Sequence, residues 1–161
     1  MKYTCIVAED EELLLHNLIK KVEACEAGFI VVGSAQTGVQ AYDLIEKYNP
    51  DLVISDIRMP VMDGIELLKK VREGYPEMDF IFTTGYSDFE YTKQAIRYSA
   101  TEYLLKPIDP DELNEALNRI KKKYLMEQQK IEQIFNESLA GQTQEQVAKA
   151  LKDYLNANLS E

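Results

Sequence analysis

A carboxylate closes an apolar run at Asp56, and that placement narrows what this chain can fold into. The run Leu52-Val53-Ile54-Ser55 reads as a buried strand, and Ile57-Arg58-Met59-Pro60 and then Asp63-Gly64 follow. A carboxylate where a buried strand runs out costs desolvation energy unless a cation or donors meet it. Glu9 and Asp10 end a second apolar run, Tyr3 to Ala8, and Lys106 follows a third, Tyr103-Leu104-Leu105. In an open parallel sheet such strand ends emerge on one edge, where these folds bind ligands.

The rest of the pattern agrees with an open sheet. Short apolar runs alternate with amphipathic segments, as in an α/β fold with a parallel sheet. Strands are expected at about 3–8, 29–35, 51–55, 79–84 and 102–105. The third and fourth lack polar/apolar alternation, as strands covered on both faces do. Helices are expected over 12–25 (Leu14, Leu15, Leu18, Ile19, Val22), 38–48 (Ala41, Leu44, Ile45, Tyr48), 64–73 (Ile65, Leu68, Val71) and 88–98 (Phe89, Thr92, Ile96 and their neighbours). Asn49-Pro50-Asp51, Asp63-Gly64, Gly74-Tyr75-Pro76 and Asp109-Pro110-Asp111 supply turn chemistry at the joins. Five strands and five helices fill residues 3 to about 122.

Composition excludes several function classes. The formal charge of −10 makes a poor nucleic-acid binder, because phosphate contacts need a surplus of Lys and Arg. Any DNA-directed role therefore needs another domain. No apolar run approaches the ~18 residues of a membrane span, and the N-terminus does not read as a secretory signal. Cys5 and Cys25 are far apart and there is one histidine, His16, which argues against a zinc site. Two buried thiols in a reducing cytosol, hence a cytoplasmic protein, are expected.

The strand-end residues suit phosphoryl chemistry. Asp10 and Asp56 can supply hard oxygen ligands and Glu9 can hold a metal-bound water, a set that suits magnesium. The second oxygen of Asp56 can then attack phosphorus, and an aspartyl phosphate is a known covalent species for such carboxylates. The metal and the Lys106 ammonium would spread the charge of the transferring group, and the Thr84 hydroxyl is placed to meet a phosphoryl oxygen. Taken singly, each residue has a plainer explanation. Glu9-Asp10 could be a helix N-terminal charge, Lys106 a surface lysine, and Thr84 a turn cap. In order at successive strand ends, the four are far more specific.

The stretches Ile6-Val7-Ala8-Glu9-Asp10-Glu11, Asp51 through Gly64, Thr84-Gly85-Tyr86 and Tyr103-Leu104-Leu105-Lys106-Pro107 resemble the receiver domain of two-component response regulators. The resemblance covers residues 2 to about 122. It implies a flavodoxin-like (CheY-like) doubly wound sheet of five parallel strands in the order 2-1-3-4-5. It implies that Asp56 accepts phosphate from a histidine of a sensor histidine kinase. Asp10, Asp56 and the backbone carbonyl of Arg58 would bind magnesium, with Glu9 behind a water. Lys106 would pair with the phosphate, Thr84 and Tyr103 would form a switch pair, and the Lys106–Pro107 bond would be cis. Glu9 stands where Asp is commoner, and Ser99-Ala100 replaces a frequent Gly-Ala; little consequence is expected of either. Gly85 through Tyr91 and the extended last helix look like receivers joined to AraC-type DNA-binding domains.

That helix overshoots the domain. From Asp111 there is no Gly or Pro until Gly141, and Leu113, Leu117, Ile120, Tyr124, Ile131 and Ile134 follow steps of four and three, with Glu127 interrupting. Residues 123–140 read as a coiled-coil linker and the chain as a homodimer through it, although a helix that packs on the sheet and then frays is also compatible. Thr143-Gln144-Glu145-Gln146 opens another amphipathic helix over 141–161, with Val147, Leu151, Tyr154 and Leu155 on one stripe. It either folds back on the domain or begins a further domain.

Three rival functions fit less well. A phosphatase of the haloacid dehalogenase type would place a second Asp two residues after the nucleophile, where this chain has Arg58. A histidine phosphotransfer module would use His16, but it is a helical bundle, which the strand-like runs contradict. A stand-alone receiver that docks to a partner without a DNA-binding output stays open. In none of the favoured readings is the chain an enzyme beyond its own phosphorylation and dephosphorylation at Asp56.

Overall fold

The computed structural model describes residues 2–85, 89–139 and 144–159. Five parallel strands form one sheet in the order β2-β1-β3-β4-β5. They are β1 (Thr4–Ala8), β2 (Ile30–Ala35), β3 (Leu52–Asp56), β4 (Asp79–Thr84) and β5 (Glu102–Leu105). Helices α1 (Glu12–Ala24), α2 (Gly38–Tyr48), α3 (Gly64–Gly74) and α4 (Phe89–Arg97) connect them, and α5 (Pro110–Leu139) and α6 (Gln144–Leu159) follow. The flavodoxin-like expectation is met in strand number, direction and order.

Alternation along the central strands sends side chains to two apolar layers. Ile6, Val53, Phe80 and Phe82 pack with Ala41 and Ile45 of α2, Leu68 and Val71 of α3, and Ala95 of α4. Cys5, Val7, Ile54 and Ile81 point the other way; all are fully buried, as are Val22 of α1 and Leu113, Ala116 and Leu117 of α5. Each fully buried Phe or Leu contributes roughly 1.5–3 kcal/mol relative to exposure. Register is pinned at the edge opposite the site, where Asp51 Oδ2 accepts from Thr4 N at 2.8 Å and from the Thr4 hydroxyl at 3.2 Å.

Helix starts follow the sequence chemistry. Thr37 caps α2 by accepting from Gln40 N at 3.1 Å, and Asp63 caps α3 by accepting from Glu66 N at 2.8 Å. Gly64 is required by proximity: a Cβ there would overlap the Asp56 carbonyl oxygen, so only glycine lets α3 begin against the end of β3.

Some expected core positions are wrong by part of a turn. Leu14 is 39% exposed, Tyr48 43% and Ile96 62%, while Ala95 takes the buried place on α4. A stripe drawn mainly from large residues is too wide: on α4 the residue named, Ile96, is exposed, and its small neighbour Ala95 is the one buried, at 1% exposure. The side chains of Phe89 and Thr92 lie outside the described residues, as do residues 86–88 of the stretch that suggested an AraC-type subtype. Cys5 is buried but Cys25, at the end of α1, is only half-buried, which corrects the expectation of two buried thiols.

The chain divides into two compact units, 1–118 and 119–161, and the boundary falls inside α5. In the second unit Tyr124, Ile131 and Ile134 of α5 and Leu151 and Tyr154 of α6 are half-buried, and Val147 of α6 is buried. Leu125, Met126, Phe135, Leu139 and Leu155 stay exposed.

Candidate functional site

Four strand ends build the site. Asp56 is the last residue of β3, paired with Thr83 of β4, so its backbone is held by the sheet and not by a loop. Glu9 and Asp10 directly follow β1, and Lys106 directly follows β5, its N–H donating to Thr84 O at 2.7 Å. These joins carry Lys106 Nζ to 3.0 Å from Glu9 Oε2 and 3.2 Å from Asp56 Oδ2. One carboxylate oxygen from each of Glu9, Asp10 and Asp56 lies within 4.8 Å of the others. The other Asp56 oxygen, Oδ1, accepts from the Ile57 N–H at 2.8 Å.

Burial sharpens the electrostatics. Glu9 is 1% exposed and Asp56 6%, whereas Asp10 is open to solvent. Burial pushes the Glu9 carboxyl from its ordinary 4.5 up to about 7; the Lys106 hydrogen bond pulls against that and the Asp56 charge adds to it. Burial works against the Lys106 charge, but the Glu9 hydrogen bond and the Asp56 charge outweigh it and raise the pKa. A half-buried ammonium thus holds two buried carboxylates that would repel each other without it. Three carboxylates crowd one cation here, which leaves a negative surplus that a divalent ion would neutralise. All-oxygen donors, one of them solvent-facing, fit a hard ion that keeps part of its water shell.

Of the other candidate residues, Thr84 lies at the same strand ends and Tyr103 lies farther back along β5. Thr84, the last residue of β4, is 2% exposed. Tyr103, opposite Phe82 across the β4–β5 ladder, is 46% exposed and so points outward in this conformation. Arg58 lines a polar recess of about 430 Å³ together with Asp10, Pro60, Asp63 and Tyr91, and its guanidinium carbon sits 5.9 Å from the centre of the Tyr91 ring. The Lys106–Pro107 bond is cis, as expected. His16 lies exposed on α1, away from this chemistry.

Two features escaped the sequence reading. Thr83 is fully buried, and among the described residues its hydroxyl has no hydrogen-bond partner; it borders an apolar recess of about 390 Å³ shared with Glu9, Leu14, Lys106 and Ile108. Val61 has a φ of 69° and is 86% exposed, beside the site in the β3–α3 loop. Nothing in its sequence position signals a left-handed backbone, since β-branched residues avoid that region.

The family model for the response regulator receiver domain matches residues 5–118. The chain belongs to this family. Among relatives, the receiver is 38% identical over 118 residues to the uncharacterized transcriptional regulatory protein YesN of Bacillus subtilis, covering 73% of this chain and 32% of that protein. It is 40% identical over 124 residues to the sensory transduction protein LytT of Oceanobacillus iheyensis, covering 76% of this chain and 49% of that one. The receiver therefore spans a third to a half of the length of these curated relatives. Among solved structures, the REC domain of AraT, a response regulator from Geobacillus stearothermophilus, matches with a TM-score of 0.74 and 35% identity, over 80% of this chain and 99% of that one. A two component transcriptional regulator AraC from Clostridium phytofermentans matches with a TM-score of 0.68 and 37% identity, over 78% of this chain and 98% of that one. The receiver is a two-component signalling domain, and receivers are not enzymes in the ordinary sense. Among the described residues, no helix is long and apolar enough to cross a membrane.

Proposed function

We propose that Asp56 accepts a phosphoryl group from a phosphohistidine of a sensor histidine kinase, and that the modified site biases the chain toward a conformation that controls an output. The observation that carries this reading is the cluster at the strand ends, where Lys106 lies within 3.2 Å of Asp56 and Glu9 and Asp10 complete an acidic cradle. One Asp56 oxygen attacks phosphorus as the nitrogen–phosphorus bond breaks, and the leaving imidazole keeps the electron pair and takes a proton. Glu9, Asp10, Asp56 and the Arg58 carbonyl would hold magnesium, which when bound supplies positive charge to the phosphoryl oxygens. Lys106 moves from its contact with Asp56 to the new phosphoryl group, and the Thr84 hydroxyl donates to it from the end of β4. Tyr103 then turns inward from its exposed position.

The output we infer is transcriptional, through a DNA-binding domain outside these 161 residues; the description of the longer relative YesN as a transcriptional regulatory protein supports it. Association of two copies through the long α5 is the means we propose, and a cytoplasmic location follows from a kinase partner of this kind. Acetyl phosphate with magnesium tests the site. The intact mass of the wild-type chain is expected to rise by one phosphoryl group and that of Asp56→Asn not at all, and equal gains would contradict the assignment.

A further inference from the structure

Helix α4 ends at Arg97, and the chain turns at Ser99, whose φ of 60° lies in the left-handed region. Ser99 N donates to Ile96 O at 3.1 Å and Ala100 N to Ala95 O at 2.9 Å, closing the turn. Such helix stops favour glycine, because a Cβ in left-handed backbone costs about 1–2 kcal/mol. Here the strained turn is held from another helix. Arg72, on the last turn of α3, donates Nε to Tyr98 O at 3.0 Å and Nη2 to Ser99 O at 2.9 Å. Its Nη1 donates to Met78 O at 2.7 Å and Tyr75 O at 3.3 Å, in the segment that leads into β4.

One rigid planar fork thus meets four carbonyls from two separate stretches of chain. Further contacts secure the same corner. Lys69 Nζ lies 5.1 Å over the Tyr98 ring, and the Thr101 hydroxyl donates to Asp79 Oδ1 at 2.9 Å while accepting from Phe80 N at 3.0 Å. Residues 98–101 are therefore tied to α3 and to the start of β4. The other end of α4 begins five residues beyond Thr84, on the edge that carries the phosphorylation site.

We propose that Arg72 is a positioning residue that pins the C-terminal end of α4, so that phosphorylation swings this helix about Tyr98–Ser99 instead of displacing it bodily. The proposal rests on the receiver reading and adds the hinge. Element-terminal residues are where hinge motions concentrate, and a left-handed serine held by carbonyl contacts is one that two helix positions can share. Arg72 touches neither the acidic cluster nor Lys106, so its loss leaves the capacity of Asp56 to be labelled by acetyl phosphate unchanged.

Amide hydrogen exchange of the full chain, with and without magnesium and beryllofluoride, tests it. In the wild type, exchange is expected to change at Ile57 and Arg58 and in the first turns of α4, and to stay constant at Ser99 and Ala100. Arg72→Lys keeps the charge and loses the fork; exchange at Ser99 and Ala100 should then rise on the order of tenfold and become responsive to beryllofluoride. Ser99→Gly in that background should restore slow exchange by relieving the strain. A uniform response along α4 in the wild type, or an Arg72→Lys pattern identical to it, would overturn the hinge alone. No response at Ile57 and Arg58 would overturn the receiver reading and the hinge with it.

Discussion

Lys106 reaches from the end of β5 to within 3.2 Å of Asp56 Oδ2 at the end of β3, and the same ammonium lies 3.0 Å from Glu9. Residues fifty positions apart meet because parallel strands present their C-terminal ends together. Lys106→Ala should therefore have two separable effects. Labelling by acetyl phosphate should slow on the order of 10²-fold, the usual cost of losing one preorganised charge-stabilising donor. The Glu9 and Asp56 carboxylates, left without their cation, should also lower stability in magnesium-free urea unfolding.

The raised Glu9 carboxyl predicts an unusual pH dependence. The folded state holds this proton up to about pH 7 and the unfolded state releases it near 4.5, so the folded chain binds more protons between those values. Stability without magnesium should fall as pH rises through that window, by on the order of 3 kcal/mol from this group. Glu9→Gln should flatten the slope and leave a more stable fold at pH 8. Calorimetric Tm values at pH 5.5 and 8 check both statements.

Magnesium should reverse that trend. Its ligands must be deprotonated, so binding releases the Glu9 proton and strengthens with pH. Added magnesium should raise Tm more at pH 8 than at pH 5.5. An equal rise at both, or none, would count against the acidic cluster as the metal site.

Val61 holds a φ of 69° while 86% exposed, and Met62 N donates to Pro60 O at 2.8 Å around it, a three-residue turn of the strained kind. Val61→Gly should stabilise the chain by about 1 kcal/mol, read as a higher urea midpoint with an unchanged slope.

The exposed Leu125, Phe135 and Leu139 of α5 predict association in the activated state. Sedimentation velocity should show a larger dimer fraction with magnesium and beryllofluoride than without. A monomer under both conditions would remove α5 as the means of output.

What the sequence revealed depended on the physics behind each signal. Asp56, Glu9 and Lys106 were legible because a charge at the end of an apolar run has few explanations, and sheet topology then brings the runs' ends together. Helix faces were legible only to within part of a turn: Leu14 and Ile96 carry the right chemistry but sit at the margin of their stripes, while Ala95 carries little chemistry and is 1% exposed. Backbone conformation was illegible wherever a residue departs from its preference, as Val61 and Ser99 do. Ser99 in place of glycine looked inconsequential because its compensation, the Arg72 fork, comes from a residue 27 positions away.

Borohydride trapping bears most directly on the central claim. Reduction of an acyl phosphate converts the modified aspartate to homoserine, which peptide mass spectrometry locates. After treatment with acetyl phosphate and magnesium, the converted residue should be Asp56 and no other, with no conversion when magnesium is withheld. Conversion at Asp10 or Asp63 with Asp56 intact would contradict the account.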